Sequence, residues 1–149
     1  MKRLFVIACI ISILLNPLKA QQTLKLDYFS KIPVAIKDCG ALYTYDTVAL
    51  AGKKYILLTD FQNLGLLRIG GKQIKLQLKD TKTTDKTSIS IYSGAGYTVI
   101  LSSTTTGTQG KMDLESGTLQ VTKGLKKLRL KIHGQSGCDE SKQEGNPKI

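Results

Sequence analysis

Tryptophan is absent from this 149-residue chain, histidine occurs once, and cysteine occurs three times. Each scarcity excludes something. With His133 the lone imidazole, the chain cannot assemble a histidine-rich metal cluster, and no metal or other cofactor is expected. The longest apolar run, Leu4 to Leu15, has 12 residues, short of the ~20 that a membrane-crossing helix requires, so no membrane span is expected. Aromatic residues make up only 6% of the chain, which leaves few platforms for base stacking, and nucleic acid is not an expected partner. Acidic residues are half as numerous as basic ones, 11 against 22, a formal charge of +11.

What is present begins with a removable leader. Lys2 and Arg3 precede the apolar run, and Asn16-Pro17-Leu18-Lys19-Ala20 ends it with a breaker and a small residue, the three-part layout of a secretory signal peptide. Cleavage after Ala20 is expected, with the product placed in a periplasm or outside the cell. A competing reading takes Val6-Ile7-Ala8-Cys9 as a lipobox with Cys9 lipidated, which would leave the apolar run on the mature chain. Removing residues 1–20 takes three of the 22 basic residues and none of the 11 acidic ones, leaving a formal charge of +8. The remaining length suits one domain, expected over residues 21–138 and as a monomer. The polar tail 139–149, with Gly145-Asn146-Pro147, offers nothing to pack and is expected to be disordered.

Export decides how the cysteines are read. Once Cys9 leaves, Cys39 and Cys138 remain, and two thiols in an oxidising compartment usually pair. The bridge would close a loop of about 100 residues, worth up to ~4.7 kcal/mol in the chain-entropy model. The alternative is two separate buried thiols.

Periodicity along the chain is that of strands. Gln73 to Lys79 and Lys127 to His133 alternate polar and apolar residues, as a strand with one wet and one buried face does. Thr87 to Tyr92 and Tyr97 to Leu101 repeat the pattern with β-branched and aromatic residues. Further strands are expected at 24–29, 33–37, 42–50, 54–59, 64–69 and 118–122. Turn signals fall between them, including Asp60 to Asn63, Gly70-Gly71, Thr81 to Lys86, Gly94 to Gly96, Ser116-Gly117 and Lys123-Gly124. No segment has convincing helical spacing. The fold expected is therefore all-β, an antiparallel sandwich or small barrel of about 8–10 short strands. Ser102 to Gly117, rich in Ser, Thr and Gly, reads as a long loop or hairpin tip, and Gly134 to Cys138 as a sharp turn after the last strand.

Few residues point to catalysis. Ser93 lacks the strand-to-helix setting of a nucleophile elbow, and Asp60, Asp85, Asp113 and Glu115 lie in turn-like polar stretches where solvated carboxylates are the ordinary finding. A non-catalytic domain binding a protein or glycan partner is the expectation. Lys127, Arg129 and Lys131 alternate on one face of a strand, as do Lys75 and Lys79. If the two strands are neighbours they form a cationic stripe suited to an anionic glycan. The alternative is a solvated face that discourages edge pairing.

Ser93-Gly94-Ala95-Gly96-Tyr97 raises one more possibility. Flanked by strands, it reads as a hairpin turn with Gly94 and Gly96 supplying positive φ. Its S-G-x-x-Y pattern also resembles the loop motif of the bacterial inhibitors of C-type lysozyme, which are small, exported, disulfide-bearing β-barrels. The resemblance implies that Ser93 and a lysine of a later Lys-Gly pair, here Lys123-Gly124, reach into a lysozyme cleft. The candidate loop is then Ser93, Gly94, Tyr97 and Lys123.

Overall fold

The computed structural model describes residues 23–33, 36 and 39–138. The leader with Cys9 and the cleavage site, most of the strand expected at 33–37, and the tail from 139 onward lie outside the described residues. The described elements are β1 (Cys39–Thr44), α1 (Thr47–Ala51), β2 (Leu57–Thr59), β3 (Leu64–Ile69), β4 (Lys72–Thr83), β5 (Thr87–Gly94), β6 (Tyr97–Gln109), β7 (Met112–Lys123) and β8 (Lys126–Cys138). Each strand pairs antiparallel with the next, and β8 pairs with β1, so the sheet closes into an eight-stranded barrel.

Closure resolves the choice between sandwich and barrel, and a disulfide fastens it. Cys39 and Cys138 are direct partners across the β1–β8 seam, with Cα atoms 4.1 Å apart and a separation of 99 positions in sequence. Gly134 to Cys138 is therefore the end of β8, not a turn. A disulfide of this kind is characteristic of an oxidising compartment.

The alternating residues of the strands divide between two cores. Inside the barrel, Leu57, Leu67, Leu76, Val99, Leu119, Val121 and Ile132 form one buried cluster, which Leu26 joins and on which Leu24 and Tyr45 pack. Full burial of each such leucine, isoleucine or valine contributes about 1.5–3 kcal/mol relative to exposure. A second cluster lies outside the wall of β1 to β3, where Leu42, Leu58 and Leu66 meet Ile36 and Tyr55, with Phe29 and Ile32 packed on them. Covered on both faces, β2 and its approach read as the continuous apolar run Tyr55-Ile56-Leu57-Leu58, all at or below 3% exposure.

Residues 24–29 are not the strand that their composition suggests. They form a strap that makes single backbone bonds, Asp27 N–H to the Arg68 carbonyl and Phe29 N–H to the Tyr55 carbonyl, both 2.8 Å. The alternation of Leu24 and Leu26 reflects the buried end of this strap. The expected strand at 42–50 is also corrected: β1 stops at Thr44 and α1 follows. Asp46 caps that helix by accepting a bond of 2.7 Å from the Ala49 N–H, a local partner that competes with sheet pairing.

Of the two readings of 102–117, the exposed loop is corrected and the hairpin holds: the interval is the distal part of the β6–β7 ladder, which turns only at Gly110-Lys111. Threonine and serine hold a ladder as well as apolar residues do, because the pairing is between backbones. Ser116-Gly117 is likewise strand and not turn. A Cβ at Gly117 would stand 1.8 Å from the Ser102 carbonyl oxygen, so only glycine permits the β6–β7 approach.

Candidate functional site

The two ends of the barrel differ in chemistry. One end carries α1 and the hairpin turns at 70–71, 95–96 and 124–125, and the apolar cluster fills the interior there. Toward the other end, marked by the disulfide and the turns at 60–63, 84–86 and 110–111, the inward side chains become polar. They line a cavity of about 300 Å³ that opens among Asp60, Phe61 and Gln62.

Two features of the strands produce this polar mouth. In β5 the register pairs Tyr92 with Val99, Ser90 with Leu101 and Ser88 with Ser103. Those residues share the inner face, because directly opposed residues of an antiparallel pair point the same way. Ser88 and Ser90 therefore face the interior, and Ile89, 42% exposed, faces out with Ile91. The second feature is a β-bulge in β4 between Leu78 and Asp80, which shifts the phase by one residue. It turns Asp80 and Lys82 outward and brings Thr81 and Thr83 to the cavity, opposite Ser90 and Ser88. The hydroxyls of Thr81 and Ser90 are 3.0 Å apart.

Glu115 is the carboxylate of the inner wall. Its side chain accepts a hydrogen bond from the Tyr43 hydroxyl at 2.7 Å and another from the Ser136 hydroxyl. The sequence pattern suggested a solvated acid in a turn-like stretch; the structure sets Glu115 in β7, in phase with Leu119 and Val121. That phase was the available signal, and it required β7 to extend back to Met112. One cross-strand row explains the contact: Tyr43 is opposite Gly134, and Gly134 is opposite Glu115. With no side chain at Gly134, the Tyr43 ring reaches across β8. Asp60, the other acid of the mouth, is engaged by its own turn, accepting from the N–H groups of Gln62, Asn63 and Leu64 at 3.0, 2.8 and 2.7 Å.

Burial, reinforced by the charge and hydrogen bond of Glu115, pushes the Tyr43 phenol well above its ordinary pKa. Burial raises Tyr45, Tyr55 and Tyr92 as well. An unfolded tyrosine ionises near pH 10, so above that pH the folded chain holds more protons than the unfolded one. The stability contributed is complete below about pH 10 and is lost as pH rises beyond it, by at most ~1.4 kcal/mol per pH unit for a fully protected tyrosine. Urea unfolding at pH 9 and pH 11 should show a lower midpoint at the higher pH, and Tyr43→Phe should reduce the difference. Equal midpoints for the wild type would contradict this account.

The candidate loop lies at the opposite end. Its turn is Ala95-Gly96, with φ of 50° and 78°, the pair of positive values that a two-residue hairpin needs. Gly94, expected to share that duty, is instead the last residue of β5 and requires glycine for another reason: a Cβ there would be 2.2 Å from the Lys75 carbonyl oxygen. Tyr97 and Lys123 come together, with the Lys123 Nζ 4.4 Å from the ring centroid. Ser93 does not join them. It is half-buried in β5, opposite Gln77 on one side and Thr98 on the other, on the outer face in a row that continues through Thr122 to Lys127.

Lys127, Arg129 and Lys131 are exposed on the outer face of β8, across from Thr122, Gln120 and Thr118. Lys75 and Lys79 do not extend that row, because β4 and β8 stand four strands apart on opposite walls of the barrel. The combined stripe would have needed neighbouring strands. Among the described residues no helix is long and apolar enough to cross a membrane.

No family model, curated protein or solved structure matches the chain.

Proposed function

We propose that this chain is an exported, non-catalytic binding domain whose binding site is the open mouth of the barrel. The observation that carries the reading is the change of lining inside one closed sheet. Apolar side chains fill one half of the interior, while the other half presents Thr81, Thr83, Ser88, Ser90, Ser103 and Glu115 around a cavity. Hydroxyls contribute less to folding than the methyl groups that could stand in their place, so such a lining favours a role in recognition. Small-molecule sites are concave, few per protein and common in barrel mouths. The disulfide and the charged-apolar-polar layout of the first 20 residues support export.

The test is a titration of isotope-labelled protein with monosaccharides, amino acids and small amines, followed by amide chemical shifts. Shifts confined to residues 81–90, 103 and 115, and lost when Ser90→Phe fills the mouth, are the expected result. Shifts clustered at 93–98 and 123, or none with any probe, would overturn it.

A second reading, inhibition of C-type lysozyme, draws on the Lys123 ammonium held over Tyr97 beside the S-G-x-x-Y segment. Protection of a substrate from lysozyme by micromolar protein, abolished by Ser93→Trp or Lys123→Glu, is what it requires. Wild-type protein that gives no protection eliminates it.

A further inference from the structure

The charge inside the mouth is opposite to that of the chain. Although basic residues outnumber acidic ones two to one, among the described residues no lysine, arginine or histidine lines the cavity, and two carboxylates do. Asp60 is anchored in its turn at the rim, where Oδ1 accepts from three backbone N–H groups. Glu115 is different: it accepts one hydroxyl donor on each oxygen, and a carboxylate has about four acceptor sites, so capacity remains for a donor from a ligand. A divalent cation is a poor match, since no group of three His, Cys, Asp or Glu side chains gathers among the described residues. An anion would face carboxylates with no compensating base.

The hydroxyl lining sets the rest of the recognition. Serine and threonine hydroxyls both donate and accept, so Thr81, Ser88, Ser90 and Ser103 suit a partner that does the same at several positions. Phe61, 56% exposed at the rim, offers a ring face against which the edge of a polar ring or an ammonium can rest. A cavity of about 300 Å³ has room for one six-membered ring with its substituents.

Resting on the reading of the mouth as a binding site, we propose that its ligand is a small polyhydroxylated amine, the ammonium seated on Glu115 and the hydroxyls on the serine and threonine wall. The ligand class follows from the acceptor capacity of the inner-wall carboxylate, the absence of bases among the described residues of the lining, and the hydroxyls surrounding both.

Three molecules of matched size separate the terms: protonated glucosamine, neutral glucose and anionic glucuronate. Isothermal titration calorimetry, with amide shifts to locate binding, should rank glucosamine about tenfold or more above glucose, the gain of one charge-assisted hydrogen bond, and show no binding of glucuronate. Glu115→Gln should bring glucosamine to within about twofold of glucose, whereas Ser90→Val should weaken both. Glucuronate binding as well as glucosamine, or a preference for glucosamine that survives in Glu115→Gln, overturns the proposal. Binding of glucose or glucuronate in the mouth without that preference removes the amine and leaves the mouth as the site. If no probe moves the mouth amides, the amine proposal falls, and the broader titration above decides the mouth by itself.

Discussion

Replacing Cys39 and Cys138 by alanine is expected to lower the melting temperature by about 10 °C or more and to loosen the β1–β8 seam before the rest of the barrel. The argument begins from topology. Every other neighbouring pair in the barrel is consecutive in sequence, so its pairing closes a comparatively short loop, whereas the β1–β8 pairing joins residues 99 positions apart. Bringing such distant segments together carries the largest loop-closure entropy in the fold, and the cross-link removes that entropy from the unfolded chain. For a loop of ~100 residues the chain-entropy model gives ~4.7 kcal/mol, and native disulfides typically contribute 2–4 kcal/mol. For a domain a little above 100 residues, each kcal/mol moves the melting temperature by roughly 4 °C.

The position of the bridge bears on where the loss will show. Cys39 and Cys138 are direct register partners at the open end, and the seam continues from there to Thr44 and His133. Without the bridge, this end of β1 and β8 becomes a place where two sheet edges can separate and expose unpaired backbone groups. Hydrogen exchange should accelerate first at the amides of 39–44 and 133–138 in the alanine variant or under reduction. A melting temperature unchanged by reduction, or uniform exchange across all eight strands, would contradict this role.

Where the sequence could be read and where it could not follows from what each residue pattern reports. Residues 73–79 and 127–133 lie within β4 and β8, because those strands have one wet and one buried face and alternation reports that directly; Leu64–Ile69, buried on both faces, agrees with the expectation end for end because turn residues bound it on each side. The cysteine pairing was legible from the compartment. Alternation does not state which face is inside, however. In Thr87 to Tyr92 the pattern alone leaves open which side faces the core, and the register with β6 places Ser88, Ser90 and Tyr92 inside and the isoleucines outside.

The mouth was hidden for the same reason. Its wall depends on a bulge in β4 that moves Thr81 and Thr83 inward, and no local signal in Lys79-Asp80-Thr81 announces that extra residue. Its carboxylate sits in a stretch whose polarity looked like a loop. Glycine misled in a consistent way: Gly94, Gly117 and Gly134 were read as turn formers, yet each stands in a strand where another chain segment leaves no room for a Cβ. The Ala95-Gly96 turn, in contrast, was legible in position from its flanking strands, with only the residue supplying the first positive φ misassigned.

Gly134→Ala is the substitution expected to connect stability with the site. A Cβ at this position would lie 2.4 Å from the Tyr43 Cδ1, 2.8 Å from its Cε1 and 2.8 Å from the Leu42 carbonyl oxygen. The backbone oxygen cannot give way without opening the β1–β8 seam, so the ring must move. Tyr43 is 4% exposed, and a moved ring takes its hydroxyl from Glu115, leaving donor and acceptor short of a partner in a partly buried setting. Overpacking costs about 1–3 kcal/mol and the broken bond about 1–3 kcal/mol more, so a loss of roughly 2–6 kcal/mol is expected in denaturant unfolding. A double-mutant cycle identifies the cause, since contacting residues depart from additivity: in a Tyr43→Ala background, where the ring is gone, Gly134→Ala should cost less than half as much. The same variant should disturb the mouth, because Tyr43 and Glu115 both line it, and the amide shifts of Glu115 and Ser103 should move while those of Ala95 and Gly96 at the far end stay in place. An alanine tolerated within 0.5 kcal/mol, or a penalty unchanged by Tyr43→Ala, would show that the Tyr43–Gly134–Glu115 row does not hold the open end in shape.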